Sequence, residues 1–330
     1  MSGQLVLVTG GAGFIGSNIA TDLAEQGLRV AICDRFGDGK NWQYVAKSLM
    51  YDLVRPEDIF DWLASHRGQV DGIIHMGAIS ATTETDVDKI IANNVRLTLD
   101  LWTYAATHDT TFIYASSAAT YGDGSRGFVD DDSPQGLARL RPLNAYGWSK
   151  HLVDRRIVDD VQRGEPTPSR WAGLKFFNVF GPNEAHKGSM RSVVHQMYPV
   201  AAAGDPVRLF RSDHPDYADG GQLRDFIYVK DCTAVVRNML EAQTLTGIYN
   251  VGTGTARSFD DLATSTFVAA GREPRIEYID MPEALRGRYQ YFTQADTTKL
   301  QAAGLAPAFH TLEDGVRDYV QEHLVHEFAG

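Results

Sequence analysis

The chain has 330 residues, of which 43% are hydrophobic, and this length and composition allow a sizeable core and two closely joined domains. Its formal net charge of -11 excludes nucleic acid and membrane surfaces as partners, because neither would be attracted by the overall field. Only two cysteines occur, so a disulfide framework and a zinc cluster are excluded. Without a long apolar run, a soluble protein of the reducing cytoplasm is expected.

The first predicted elements are a strand, a tight turn and a helix. The turn contains Gly10, Gly13 and Gly16 in the spacing G-x-x-G-x-x-G. Missing side chains let the backbone approach a pyrophosphate, and a helix N-terminus offers free amides. A second strand over Arg29–Cys33 leads to Asp34, where a carboxylate could accept ribose hydroxyls. This pattern predicts a dinucleotide-binding site.

Strands and helices then alternate along the chain. The pattern predicts a short strand near Ser48, a helix from Pro56, a strand over 72–76, a long helix to Ala106 and a strand over 111–115. Such alternation predicts an α/β fold with a doubly wound parallel sheet, whose ligand lies beyond the carboxyl ends of the strands. The residues predicted at such ends are Asp52, Gly77, Ser80 and Ser117.

Tyr146 and Lys150 are four residues apart near the start of the next predicted helix, so their side chains share one face. An ammonium close to a phenol favours the phenolate, which predicts a lowered pKa for Tyr146 and a role as a general acid/base. The Ser117 hydroxyl, at a strand end upstream, is placed to hydrogen-bond the reacting oxygen. The alternative is an ordinary surface helix, because such pairs are common.

The regular alternation of strands and helices changes after a predicted strand over 171–177. A polar loop from Asn178, a helix over 192–203 and an exposed loop over 211–222 follow, and the segments 222–229 and 247–251 predict a return to the sheet. We therefore predict a Rossmann domain over 1–177 and 223–252, and a smaller interleaved α/β substrate domain over 178–222 and 253–330. The run 130–132 is interpreted as a solvated acidic loop. The histidines lack metal-ligand spacing, so no metal site is predicted.

Several motifs carry a resemblance to a known family. Four of them together resemble the motifs of the extended short-chain dehydrogenase/reductase superfamily. They are the glycine turn 10–16, Ser117, Tyr146-Gly147-Trp148-Ser149-Lys150 and Arg224-Asp225-Phe226-Ile227-Tyr228-Val229. Within that superfamily the chain resembles the ADP-heptose 6-epimerases over nearly its whole length. This closer resemblance is carried by the segments 114–122, 177–182, 287–296 and His186-Lys187-Gly188-Ser189-Met190.

The resemblance implies an enzyme of lipopolysaccharide precursor synthesis that interconverts the carbon-6 epimers of ADP-heptose with a tightly held nicotinamide. It implies Tyr146 and Lys187 as the two acid/bases, assisted by Ser117 and Lys150. Together with the glycine turn and the strand ends, the predicted cofactor contacts are Gly10, Gly13, Phe14, Ile15, Gly16, Asp34, Arg35, Asp52, Leu53, Gly77, Ala78, Ser80, Asn93, Tyr146, Lys150 and Val179. The predicted substrate contacts are Ser117, Asn178, Lys187, Ser189, Phe210, Arg224 and Tyr289, with Arg286 and Arg288 as secondary diphosphate contacts.

Two acid/bases suit the expected chemistry. A fixed nicotinamide delivers hydride from one side only, so the transient ketone must rotate, which leaves its oxygen in two positions. Lys187 must be neutral when it accepts a proton, and burial beside Lys150 and the nicotinamide would lower its pKa. The alternative for Lys187 is a phosphate-binding or solvated lysine.

Some points stay open at the level of sequence. NADP is preferred as cofactor with NAD as the alternative, because Asp34 repels a 2'-phosphate whereas Arg35 could pair with it. Further residues leave alternatives: Lys40 and Lys47 for the 2'-phosphate, Arg211 and Ser212 for the substrate, and His195 or Gln196 for the histidine of the family. A carbon-4 nucleotide-sugar epimerase and a non-catalytic cofactor-binding protein are the alternative functions. A homo-oligomer of unspecified size is expected.

Overall fold

The computed structural model describes residues 3–283 and 290–328. Its strands are β1 Leu5–Thr9, β2 Arg29–Cys33, β3 Asp52–Val54, β4 Val70–His75, β5 Thr111–Ser117, β6 Trp171–Phe176, β7 Asn178–Phe180, β8 Val207–Phe210, β9 Leu223–Tyr228, β10 Ile248–Val251, β11 Ala256–Ser258 and β12 Ile276–Ile279. Its α-helices are α1 Phe14–Glu25, α2 Ile59–Ser65, α3 Val87–Ile90, α4 Leu97–His108, α5 Pro134–Arg139, α6 Ala145–Arg163, α7 Val193–Ala203, α8 Val229–Glu241, α9 Phe259–Ala269, α10 Thr298–Ala302, α11 Leu312–Tyr319 and α12 Val325–Phe328.

A seven-stranded parallel sheet forms the centre of the molecule, in the order β10-β6-β5-β4-β1-β2-β3. All five residues of β1 are buried, because helices cover both faces of the sheet. Leu5 and Leu7 pack on the face covered by α4 and α6, whereas Val6 and Val8 pack with α1 and α8. The predicted doubly wound α/β fold is confirmed.

Two smaller sheets extend from this centre. In one, β9 pairs with β7 in parallel and with β11 in antiparallel orientation, and in the other β8 pairs with β12. The predicted return to the large sheet is correct for β10 but wrong for the segment Leu223–Tyr228, which forms β9. Both strands are short segments with apolar and aromatic residues typical of strands, and only the pairing partner distinguishes them. The division of the chain into two domains stays a prediction.

The predicted strand near Ser48 is also wrong, because this part of the chain bends and the strand begins at Asp52. Asp52 therefore lies at the start of β3 and not at its carboxyl end. The two cysteines, Cys33 in β2 and Cys232 in α8, are buried free thiols. Within the described residues, no helix is both long and apolar enough to cross a membrane.

The acidic run 130–132 is only in part the solvated loop that the sequence predicted: Asp131 is exposed, but Asp130 and Asp132 bind the neighbouring strand. A carboxylate oxygen of Asp130 accepts a hydrogen bond from the Asn250 amide at 2.9 Å, and one of Asp132 accepts from the Ile248 amide at 3.0 Å and from Lys299 Nζ at 2.6 Å. Because β10 is an edge strand, its outward amides need acceptors. The two carboxylates supply them.

Candidate active site

A cleft of about 610 Å³ lies at the carboxyl ends of the central strands, between the glycine turn and the segment that follows β7. It brings together most of the predicted site. The predicted residues that line it are Gly10, Gly13, Phe14, Ile15, Gly16, Asp34, Gly77, Ala78, Ser80, Ser117, Tyr146, Lys150, Asn178, Val179 and Lys187.

The glycine turn fits a dinucleotide. Gly10 has a φ of 65°, and a Cβ on it would lie 2.6 Å from the Gly77 amide nitrogen. A Cβ on Gly16 would lie 2.1 Å from the Gly10 carbonyl oxygen, so only glycine allows this packing of turn and helix. In the described structure no side chain caps the N-terminus of α1, and Asp34 accepts a hydrogen bond from the Ala12 amide at 2.8 Å. The turn therefore has free amides and a helix dipole end that could hold a pyrophosphate, with the Asp34 carboxylate beside them.

Tyr146 is held at the start of α6. The helix is capped by Asn144, whose side chain accepts a hydrogen bond from the Gly147 amide at 2.8 Å. A Cβ on Gly147 would lie 2.8 Å from the Ala119 carbonyl oxygen, so glycine lets the helix approach the turn after Ser117. The hydroxyls of Tyr146 and Ser117, both predicted to act in catalysis, are thereby brought into one cleft.

The protonation of this site differs from the prediction. Burial raises the pKa of Tyr146, and its hydrogen bond with Ser117 only partly opposes this effect. Burial also lowers the pKa of Lys150 to about 8, against the opposing charge of Asp154. The predicted lowering of the Tyr146 pKa by Lys150 is wrong for this structure, because desolvation disfavours the charged form of both groups.

A buried hydrogen-bond network supports the cleft from behind. Asn94, which is fully buried, accepts a hydrogen bond from the Ile79 amide at 2.8 Å and donates one to Ser149 Oγ at 3.1 Å. It thus ties the loop that begins at Gly77 to α6. The predicted contact Asn93 instead donates to the Lys89 carbonyl oxygen and lies outside the cleft.

The reason lies in the helix that carries both asparagines. Residues Ile91–Arg96 form a π-helical segment between α3 and α4. Neighbouring residues on a helix differ in direction by about 100°, and a π turn shifts which residue faces inward. The sequence shows two adjacent asparagines and does not indicate this shift.

Asp154 continues the face of α6 that carries Tyr146 and Lys150. It is fully buried and accepts hydrogen bonds from Lys175 Nζ at 2.6 Å, Ser116 Oγ at 2.8 Å and the Tyr114 hydroxyl at 3.0 Å. It therefore anchors α6 on β5 and β6. The spacing of four residues after Lys150 was visible in the sequence, but its partners were not.

Lys187 reaches the cleft from the opposite side. It lies in the 3₁₀ segment Ala185–Met190, and its Nζ is 4.9 Å from the centroid of the Phe14 ring. Burial lowers the pKa of Lys187, against the opposing charge of Glu184. The predicted lowering of the Lys187 pKa by burial is confirmed.

Among the described residues, the other predicted contacts lie outside the cleft. Arg35 pairs with Glu57, Asp52 accepts a hydrogen bond from Trp62 Nε1 at 2.7 Å, and the side chain of Leu53 is exposed. Ser189 is exposed in the Lys187 turn, and Phe210 ends β8. Arg224 is buried in β9, with its guanidinium 5.7 Å from the Phe259 ring centroid and hydrogen-bonded to the Leu223 carbonyl oxygen. Tyr289, Arg286 and Arg288 lie outside the described residues.

The structure also places the residues whose roles the sequence left open. His195 is fully buried, with Nε2 2.9 Å from a Glu327 carboxylate oxygen, whereas Gln196 is exposed, and neither lines the cleft. Arg211 pairs with Asp280, and Ser212 donates to the His214 carbonyl oxygen. Lys40 and Lys47 are exposed outside the cleft.

Sequence reasoning missed some of the cleft lining. Asn41, Thr82 and Phe176 lie there without a motif to signal them, while His186 and Met190 stood in the quoted Lys187 motif without an assigned role. In the described part of the chain, no group of His, Cys, Asp and Glu could hold a metal ion.

The fold and the site define a class of protein. Residues 6–252 match the model of the NAD dependent epimerase/dehydratase family, and the chain belongs to this family. A nicotinamide dinucleotide is therefore its cofactor.

Individual similar proteins carry a more specific name than the family does. The ADP-L-glycero-D-manno-heptose-6-epimerase of Nitratidesulfovibrio vulgaris is 48% identical over 97% of this chain and 98% of that protein. The enzyme of the same name from Fusobacterium nucleatum is 44% identical over 98% of this chain and 99% of that protein. The crystal structure of Helicobacter pylori ADP-L-glycero-D-manno-heptose-6-epimerase matches with a TM-score of 0.78 at 28% identity, covering 97% of this chain and 96% of that one.

Proposed function

We propose that this protein converts ADP-D-glycero-D-manno-heptose into ADP-L-glycero-D-manno-heptose by transient oxidation and re-reduction at carbon 6. The observation that carries the proposal is that two proton-transferring side chains from different elements, Tyr146 and Lys187, line the same cleft as the glycine turn. The name shared by the 48% and 44% identical relatives supports the substrate.

The protonation states of Tyr146 and Lys187 support different roles for the two residues, one as proton donor and the other as proton acceptor. Because burial raises the pKa of Tyr146, its phenol holds a proton at neutral pH, whereas burial moves Lys187 towards its neutral amine. In the reaction direction that starts from a protonated Tyr146 and a neutral Lys187, Lys187 accepts the proton of the carbon-6 hydroxyl. After the transient ketone has rotated, Tyr146 donates a proton to its carbonyl oxygen. A nicotinamide held in this cleft would supply the hydride chemistry, taking the hydride up and returning it, so that no net redox change would occur. Ser117, hydrogen-bonded to Tyr146, orients the phenol.

The test is incubation of the purified enzyme with ADP-D-glycero-D-manno-heptose in deuterium oxide, followed by chromatography and mass spectrometry. We expect the L-glycero epimer without deuterium at carbon 6. Stoichiometric deuterium at carbon 6 would contradict the hydride mechanism. Absence of the epimer, together with turnover of a UDP-hexose at carbon 4, would favour the alternative epimerase.

The form of the cofactor is a separate proposal. Asp34 lines the cleft at the ribose position, whereas Arg35 is engaged by Glu57 outside it. A carboxylate at this position accepts ribose hydroxyls and repels a 2'-phosphate. These contacts favour NAD, in contrast to the preference for NADP drawn from the sequence. Identifying the nucleotide released on denaturation decides between them.

A homo-oligomer of this chain in a reducing cytoplasm remains part of the proposal. The partly exposed apolar side chains Trp148 and Leu152 of α6 support contact between copies, and the buried free thiols of Cys33 and Cys232 support a reducing compartment. Light scattering of the purified protein measures the number of subunits.

A further inference from the structure

The turn that carries Lys187 has little regular structure of its own. It is a six-residue 3₁₀ segment interrupted at Gly188, which has a φ of 57° and a ψ of -122°. Short 3₁₀ segments have poor hydrogen-bond geometry, so contacts from elsewhere must define the position of the lysine. The fully buried Glu184 immediately precedes this segment.

Glu184 makes contacts on both sides of the turn. One carboxylate oxygen accepts a hydrogen bond from the Ser192 amide. The other accepts from the Ser192 hydroxyl and, at 3.0 Å, from the hydroxyl of Tyr319, which is 135 residues away in α11. A buried carboxylate with three donors is stable only while those donors stay in place. The carboxylate thus joins both ends of the Lys187 turn to helix α11.

The same carboxylate acts on Lys187 by its charge. Glu184 opposes the lowering of the Lys187 pKa that burial causes. Other groups surround this pair. The Phe14 ring of α1 lies beside Lys187. Burial and the charge of Lys187 lower the pKa of the neighbouring His186 and the charge of Asp34 raises it, while burial and the charge of Glu327 in α12 raise the pKa of Tyr319. The ring of Tyr44 is tilted by 52° against that of His186, with the two ring centroids 5.6 Å apart.

We propose that Glu184, held by Tyr319, is a positioning residue that sets both the place and the charge of Lys187. This inference rests on the proposed function, because it concerns the second of the two acid/bases. It assigns helix α11 a part in the active site although no residue of that helix lines the cleft within the described structure.

The first test removes the charge and keeps the shape. In Glu184→Gln the amide can accept from the Ser192 amide with its oxygen and donate to the two hydroxyls with its nitrogen. Competitive acetylation of Lys187 with acetic anhydride, followed across pH by peptide mass spectrometry, should show a midpoint at lower pH than in the wild type. Glu25→Gln, an exposed carboxylate at the end of α1, should leave the midpoint unchanged. An unchanged midpoint in Glu184→Gln would overturn the role of the charge.

This measurement needs no epimerase activity. Failure of the wild type to epimerise ADP-heptose would therefore overturn the proposed function, whereas the labelling result would still decide the role of Glu184. In an active enzyme, the limb of the pH–rate profile that Lys187→Met removes should move to lower pH in Glu184→Gln.

The second test separates position from charge and does not depend on the folding of Glu184→Gln. Tyr319→Phe removes one donor to Glu184 but keeps the carboxylate, so kcat should fall about 10- to 100-fold with KM little changed. Tyr228→Phe is the matched control, because Tyr228 is also buried and donates to a carboxylate of the same helix, Asp318. An equal loss in both variants would show a general loss of packing and overturn the positioning role.

Discussion

The two proposed acid/bases of the cleft, Tyr146 and Lys187, are held in place in opposite ways. Tyr146 lies on the 19-residue helix α6, and Lys150 and Asp154 follow it at intervals of four residues on one face. Lys187 lies on a six-residue turn, and the hydrogen bonds that hold its neighbour Glu184 come from Ser192 and from Tyr319, 135 residues away. The comparison shows that the position of one member of the proposed pair is determined by local sequence, while the position of the other depends on the folding of distant segments.

The largest effect is expected for the locally encoded residue. Tyr146→Phe should lower kcat about 100- to 10,000-fold, because only the proton-transferring hydroxyl is lost. Cofactor content and the circular dichroism spectrum should match the wild type. Near-normal turnover of ADP-heptose would show that Tyr146 is not an acid/base.

Lys187→Met tests the other half of the comparison. Loss of the amine should lower epimerisation about 100-fold or more, while the apolar chain still packs on the Phe14 ring. A 6-aldehyde analogue, which is both oxidised and reduced without epimerisation, should still react through Tyr146. Lys89→Met, in an exposed pair with Glu84, is the control. Undiminished epimerisation with weaker ADP-heptose binding would make Lys187 a binding residue.

The support of α6 predicts an effect on stability. Lys175→Met leaves the fully buried Asp154 without its ammonium partner and should lower the free energy of unfolding by about 3–5 kcal/mol. The exposed pair of Arg163 and Asp159 on the same helix is the control, and Arg163→Met should cost less than about 1 kcal/mol. Urea denaturation measures both. Equal losses would mean that Asp154 is not an anchor.

The smallest effect concerns the pH dependence of Lys150. Its pKa is lowered from 10.5 to about 8 in the folded protein, so the unfolded chain binds this proton more tightly. The cost to stability is complete below about pH 8 and disappears as the pH rises towards 10.5; it amounts to about 3 kcal/mol at most. Wild type minus Lys150→Met should therefore show a stability difference that rises with pH across this interval. A difference independent of pH would contradict the lowered pKa.

Several features of the site followed from the sequence because a few neighbouring residues determine them. The spacing of Gly10, Gly13 and Gly16 implies a turn that only glycine can pack, and its geometry agrees. The four-residue interval of Tyr146 and Lys150 places both on one helix face. Alternating strands and helices likewise implied the parallel sheet, because buried apolar runs and helical periodicity are properties of short segments.

Only the tertiary structure decided the features that depend on burial and on distant partners. It turned Asn94 and not Asn93 inward, placed β9 in a separate sheet and used the acidic run 130–132 to cover the edge of β10. It raised the pKa of Tyr146 where the neighbouring Lys150 suggested the opposite. It also joined Glu184 to Tyr319. Local spacing specifies which residues share a face, but desolvation and pairing arise only when the whole chain is packed.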